Sequence, residues 1–284
     1  MTSICDVVAL TRRLIRKTHE TVCLLFVALA VASFTGMVQA STLTPLHYFG
    51  ASQDGTTPTG VMQASNGYFY AVTALGGLYG RGAVLVSPDG TNYSTLYSFS
   101  GVNGAQPQAA LIQASNGYLY GTTQYGGTRG AGTVYGIGVD GSGFAVLHSF
   151  TGSDGLYPSG GLVQASNGYL YGAAPNGGAN GYGTVFGISV GGTGFAVLHS
   201  FNSTDGSYPN SLIQATNGTL YGTTSGGGSS GGGIVFGILT SGAGFTTLHS
   251  FVVGSDGSTP EVGVVQASNG LLYGTTAYNN LFQK

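Results

Sequence analysis

The sequence has no tryptophan, two cysteines and a charged content of only 6% over 284 residues. Each shortage excludes something. Cys5 and Cys23 both lie ahead of the position where an export leader is expected to be cut. The mature chain then holds no thiol, which excludes disulfides, thiolate metal centres and cysteine nucleophiles. Arg12, Arg13, Arg16 and Lys17 precede the same position. Only Arg81, Arg129 and Lys284 remain against seven acidic residues, so the mature chain is net negative. Nucleic-acid binding draws on many Lys and Arg contacts to phosphate, and this surface lacks them.

Long apolar runs are missing too. The longest, Val22 to Phe34, has thirteen residues and is interrupted only by Ser33. A membrane-spanning helix needs about 20. Basic residues ahead of this run and Val38-Gln39-Ala40 behind it make a signal peptide over residues 1–40. Residues 41–284 are then expected as one secreted or cell-surface domain, a monomer without a transmembrane segment. Thr11-Arg12-Arg13-Leu14-Ile15 loosely matches a twin-arginine signal, but an ordinary basic leader is the simpler reading.

What the chain does have is repetition. Phe-Ala-Val-Leu-His-Ser-Phe stands at 144–150 and again at 195–201, and Gln-Ala-Ser-Asn-Gly-Tyr-Leu-Tyr-Gly at 113–121 and 164–172. Phe49, Phe99, Phe150, Phe201 and Phe251 are spaced by 50 or 51 residues. Asn66, Asn116, Asn167, Asn217 and Asn269 recur with them, each before Gly, as do Pro58, Pro107, Pro158, Pro209 and Pro260. One unit divides into four short strands, predicted at 161–165, 169–173, 184–188 and 195–201. Asn167-Gly168 between the first two is read as a two-residue hairpin turn with both residues at positive φ. Phe195, Val197, His199 and Phe201 alternate with Ala196, Leu198 and Ser200, the period of a strand. No helical period follows Ala40.

Four antiparallel strands in about 50 residues make the blade of a β-propeller. An open β-solenoid is the alternative, although its rungs are usually shorter. Stacked blades bury both sheet faces, which explains apolar runs such as Tyr118-Leu119-Tyr120. The fold class is therefore all-β, a propeller of about five blades with the last one incomplete. A fourth-type strand at 43–49 stands first and is placed to close the last blade of a ring, leaving no free edge. The fifth unit shows first and second strands over 262–276, but the pattern lapses at Tyr278, before a third strand is expected.

These motifs, together with Gly126-Gly127 and the Gly-Thr-Val-Tyr/Phe elements at 132–135 and 183–186, resemble the bacterial "choice-of-anchor" GloVer tandem repeat. The resemblance covers about 43–276. It implies an exported protein and carries with it no known catalytic activity and no transferable site residues. No hydrophobic sorting segment of the kind that often ends such proteins follows Thr276.

Candidate chemistry is sparse. His47, His148, His199 and His249, with Tyr97 at the equivalent place, fall on fourth strands of different blades. That keeps them too far apart for a shared metal, whose Zn–N bonds span about 2 Å. They are read as structural, and no metal or cofactor is expected. Asp54, Asp154, Asp205 and Asp256 precede Gly in the loop after the fourth strand, with Asn103 in the same place, and are turn formers. One equivalent carboxylate per blade does not supply the unlike pair that glycoside hydrolysis uses. The G-x-S-x-G matches at 187–191 and 228–232 lie at a strand end and in a glycine loop, not at a strand-to-helix elbow. Asn92, Asn202 and Asn217 lie in N-x-S/T sequons.

The loops between second and third strands and between fourth and first strands are long, and both are expected on one face. They carry Tyr79, Arg81, Tyr125, Arg129, Asp154, Tyr157, Asn176, Asn180, Tyr182, Asp205 and Tyr208. Tyrosine rings beside Asn and Asp suit neutral polar ligands such as sugars; the plainer reading is that they pack the loops. The expected function is a non-catalytic binding module for glycans or cell-surface proteins. A ligand-free structural spacer, or a propeller hydrolase or lyase using the symmetry breakers Arg81, Arg129 and Glu261, are the alternatives.

Overall fold

The computed structural model describes residues 45–50, 54–278 and 281–283. The signal segment and cleavage site expected over residues 1–40 lie outside them. Residues Leu46–Lys284 form one compact unit.

That unit is a row of five antiparallel sheets, the blades of a β-propeller. Blade 1 holds β1 (Thr56–Gln63), β2 (Phe69–Leu75), β3 (Ala83–Ser87) and β4 (Ser94–Ser98). Blade 2 holds β5 (Ile112–Gln113), β6 (Leu119–Thr123), β7 (Thr133–Ile137) and β8 (Ala145–Ser149). Blade 3 holds β9 (Val163–Gln164), β10 (Leu170–Ala174), β11 (Thr184–Ile188) and β12 (Ala196–Ser200). Blade 4 adds a strand: β13 (Ser207–Pro209) and β14 (Ile213–Gln214) both pair with β15 (Leu220–Gly226), followed by β16 (Ile234–Ile238) and β17 (Thr246–Ser250). Blade 5 holds β18 (Val265–Gln266), β19 (Leu272–Thr275) and β20 (Leu281–Gln283).

Two expectations are corrected here. Blade 5 does have a third strand. β20 pairs with β19 so that Gly274 faces Phe282, the register in which Gly222 faces Phe236 in blade 4. The loop before it is shorter than in the other blades, so the strand arrives before the sequence pattern announces it. Second, residues 45–50 form no strand, so the expected closure by 43–49 is not made among the described residues. Residues 43 and 44 lie outside them.

The hairpin turn also differs from the two-residue form. Gly168 has φ 83°, but Asn167 is absent from the positive-φ residues. Ala165 N–H donates to Tyr169 O, and Gly168 N–H to Ala165 O. This is the longer loop in which a type I turn ends in a left-handed glycine. The first strand ahead of it is two residues, Val163–Gln164. The turn also frees Asn167 for other work: its Oδ1 accepts the Tyr169 N–H and its Nδ2 donates to the Tyr171 hydroxyl.

The core lies between blades, not within them. Phe150, Val134 and Tyr120 of blade 2 meet Leu162, Leu170, Phe186 and Ile188 of blade 3. Equivalent clusters join blades 1 and 2, 3 and 4, and 4 and 5. The middle strands β6, β7, β10 and β11 are buried along their whole length. Burying one Phe side chain contributes roughly 1.5–3 kcal/mol, so the Phe repeating every 50 or 51 residues is a main fastening between neighbours.

The Gln-Ala-Ser-Asn-Gly-Tyr motif is the polar half of that joint. Gln164 donates to Gly168 O in its own turn and accepts the Ser115 N–H of the preceding blade at 2.8 Å. The hydroxyl of Tyr171 donates to Thr240 O of the following blade. The copies in blades 2, 3 and 4 therefore each touch both of their neighbours.

Candidate functional site: the long-loop face

The two families of long loops do lie together, because backbone hydrogen bonds lock them across each blade junction. Gln106 N–H donates to Arg81 O, Tyr157 N–H to Ala131 O, Tyr208 N–H to Tyr182 O and Thr259 N–H to Gly232 O, at 2.8–3.0 Å. The same segments pair on the other side with the next loop, as Leu156 N–H does with Asn176 O.

The residue at each of the four locks, and Thr57 at the equivalent place in blade 1, is under strain. Thr57, Gln106, Tyr157, Tyr208 and Thr259 are the only non-glycine residues with positive φ among those described, at 52–60°. Each precedes a proline. A left-handed side-chain-bearing residue costs of the order of 1–3 kcal/mol, and proline disfavours α-type backbone in the residue before it. The following proline explains why the conformation is held. Pro209 packs against Gly183 of the preceding blade so closely that a Cβ there would stand 2.4 Å from its Cδ. Gly82, Gly132 and Gly233 receive Pro107, Pro158 and Pro260 in the same way.

On this rigid frame the glycines recur while the other positions change from blade to blade. Arg81, Ala131, Tyr182 and Gly232 occupy one position; Gln106, Tyr157, Tyr208 and Thr259 occupy its partner across the junction. Tyr182 and Tyr208 are both exposed and share a backbone hydrogen bond of 3.0 Å. Tyr125 is exposed and its ring lies 5.1 Å from that of Tyr157, tilted by 55°. Tyr79, Arg129 and Asn180 occupy one further position, and all three are exposed. Asn180 donates to Phe201 O, Asn176 is tied by its backbone to Leu156, and Arg81 lays its guanidinium against Gly101.

Asp154 and Asp205 are engaged within their own turns. The Asp154 Oδ2 meets His148 Nε2 at 2.9 Å, and its Oδ1 accepts the Thr151 N–H and hydroxyl. Asp205 meets His199 at 3.1 Å and accepts from Asn202. Burial alone would raise the Asp154 carboxyl, but the Thr151 N–H and the His148 ring bring it below the usual carboxylate range. Burial pushes the His199 imidazole down despite the opposing pull of Asp205. These aspartates hold turns and histidines, so their oxygens are already engaged.

Sequence reasoning read the histidines as structural and the aspartates as turn formers, with Asp154 and Asp205 also set among the loop candidates, and missed that the two series are partners. Tyr97 carried the signal. Where His becomes Tyr97, Asp becomes Asn103, and Asn103 donates to the Tyr97 hydroxyl. His47–Asp54 and His249–Asp256 complete the series. Among the described residues no three His, Cys, Asp or Glu side chains gather as a metal site, and no helix is long and apolar enough to cross a membrane.

The comparisons agree with this architecture. Residues 32–211 and 131–284 match the model of the Gloeobacter/Verrucomicrobia repeat. No curated protein matches the sequence. Among solved structures, the nidogen/laminin complex aligns with 15% identity and a TM-score of 0.52, over 77% of this chain and 72% of that one. XC5397 from Xanthomonas campestris, described as a gluconolactonase, aligns with 15% identity and a TM-score of 0.52 over 82% and 73%. A protein of unknown function from Dyadobacter fermentans aligns with 14% identity and a TM-score of 0.50 over 81% and 77%. At these identities the likeness concerns the fold alone.

Proposed function

The chain belongs to the Gloeobacter/Verrucomicrobia repeat family, and from that premise we propose that it is an exported, non-catalytic binding module whose long-loop face recognises glycans. The observation that carries this reading is the aromatic row at the blade junctions. Tyr125, Tyr157, Tyr182 and Tyr208 sit on backbone fixed from both sides. A tyrosine offers an apolar face and a hydroxyl at small loss of side-chain freedom, which suits a neutral polyhydroxylated ligand. Variable side chains on an invariant scaffold are how loops generally carry recognition. Arg81 and Arg129 are the only cations among the loop residues, so a strongly ionic ligand has little to hold it.

The test is a glycan-array screen with the purified protein and with a Tyr182→Ala/Tyr208→Ala variant. The expected result is saturable binding to one glycan class, reduced at least ~10-fold in the variant, which is about 1.4 kcal/mol. A folded protein that binds no glycan overturns the reading in favour of a structural spacer. Turnover of a bound sugar derivative or lactone would move it to the enzymatic alternative.

A further inference from the structure

The blade-to-blade joint described above repeats four times among the described residues, and at either end of that row one half of it is exposed. On the outer side of blade 1, Val61 is 59% exposed, whereas its equivalents Leu111, Leu162, Leu212 and Val264 are 2–6% exposed against the preceding blade. Pro58, whose counterparts each sit on a glycine of the blade before, lines an open apolar hollow of about 600 Å³ with Leu46, Phe49, Val61, Phe69 and Tyr93. On the outer side of blade 5, Val265 is 63% exposed, whereas its equivalents Met62, Ile112, Val163 and Ile213 are part-buried against the next blade. Thr275 is likewise exposed where Thr122 and Thr223 are buried.

The polar ladder shows the same two open ends. Ser65 N–H donates to Gln113, Ser115 to Gln164, Ser166 to Gln214 and Thr216 to Gln266, at 2.7–2.9 Å. The next donor in the series is Ser268 N–H, and the first acceptor is the Gln63 side-chain oxygen. Neither has a partner among the described residues.

The backbone is open at the same places. Among the described residues β20 pairs on one edge only, with β19. Residues 45–50 belong to no sheet, yet they lie on blade 1 as a preceding fourth strand does. His47 and Phe49 face Tyr93, at 5.1 and 5.4 Å, where His148 and Phe150 face Phe195.

We propose that these two ends join between copies: the blade 5 face of one chain seats on the blade 1 face of a second, and residues 45–49 of the second supply the fourth strand of the composite sheet. Ser268 N–H then donates to Gln63 of the second copy, and Val265 covers Val61. The occupant is named by the interface itself. Each end carries the residues that complete the other, in a register the chain already uses four times. Because the two surfaces differ, the contact is head-to-tail. Such contacts run on into closed rings or open rows, according to the rotation per chain.

The test is sedimentation velocity on the purified protein over a range of concentrations, with Val61→Glu and Val265→Glu variants. Both positions are exposed in a single chain, so the variants fold, as circular dichroism checks. The wild type is expected to grow in mass with concentration, and each variant alone to associate at least ~10-fold more weakly, since a buried unpaired carboxylate opposes the joint. Mixing the two variants restores one good joint per pair and produces a two-chain species that grows no further. A wild type that stays a single chain at ~100 μM, the monomer expected from the sequence, overturns the proposal, whether the ends stay apart or close within one chain. So does association that both variants leave unchanged, or a mixture that stays monomeric.

Discussion

His148 lies flat on Phe195, with ring centroids 3.5 Å apart and planes 7° from parallel, while its Nε2 meets the Asp154 carboxylate at 2.9 Å. One side chain thus fastens blade 2 to blade 3 with its face and orders the connecting turn with its edge. His148→Ala removes both contacts and leaves Asp154 short of a partner. The expected loss is about 1–3 kcal/mol in chemical denaturation. The double change His148→Tyr/Asp154→Asn copies the Tyr97–Asn103 pair, which stacks on Phe144 at 3.7 Å. It should recover most of that loss; a double variant no better than the alanine would show that the pair does not act as a unit.

Acid should loosen the fold in two stages. Burial lowers the His199 imidazole in the folded chain, so the unfolded chain binds more protons as pH falls. Stability is then full above the ordinary histidine value near 6.5 and declines below it. The Asp154 and Asp256 carboxyls are lowered in the fold, Asp154 against the effect of its burial and Asp256 chiefly by the Val252 N–H. Their contribution is present above about pH 4 and is lost as pH falls through their folded values. Melting temperatures between pH 8 and 3 check this. A flat profile from pH 7.5 to 5 would rule out the histidine stage.

Tyr135 is fully buried, its hydroxyl has no partner among the described residues, and burial raises it above the usual phenol range. The equivalent residues are Phe186 and Phe236. Tyr135→Phe removes the unmatched hydroxyl without altering the ring, and should stabilise the protein by about 1 kcal/mol. A loss of stability in denaturant titration would mean that the hydroxyl has a role.

Strain and recognition can be separated at Tyr208. Tyr208→Gly relieves a φ of 57°, which glycine adopts freely. The melting temperature should hold or rise while glycan binding falls. A sharp drop in stability would instead assign the tyrosine to packing.

The architecture was readable because a propeller writes its interfaces once per repeat. The spacing of Phe49 to Phe251 gives the repeat length, and the alternation of 195–201 marks a strand within it. The site was less readable, for a physical reason. The lock between Tyr182 and Tyr208 is a backbone hydrogen bond at positive φ, and neither leaves a side-chain signature except the proline that follows. β20 was missed because a strand paired on one edge needs only backbone and register. Asn167 misled in the opposite direction: Asn-Gly is common to several turn types, and only the hydrogen bond from Gly168 to Ala165 selects the longer one.

The lock between loops has a consequence for how such a protein changes over generations. Each junction takes one side chain from the repeat before it and one from the repeat after. Duplicating residues 151–201 would set a second Tyr157 across from Tyr182, a combination the parent never displays. The Phe fastenings and the Gln–Ser ladder would be reproduced unaltered. New pairings can therefore be composed by copying alone, with no point mutation and no redesign of the frame.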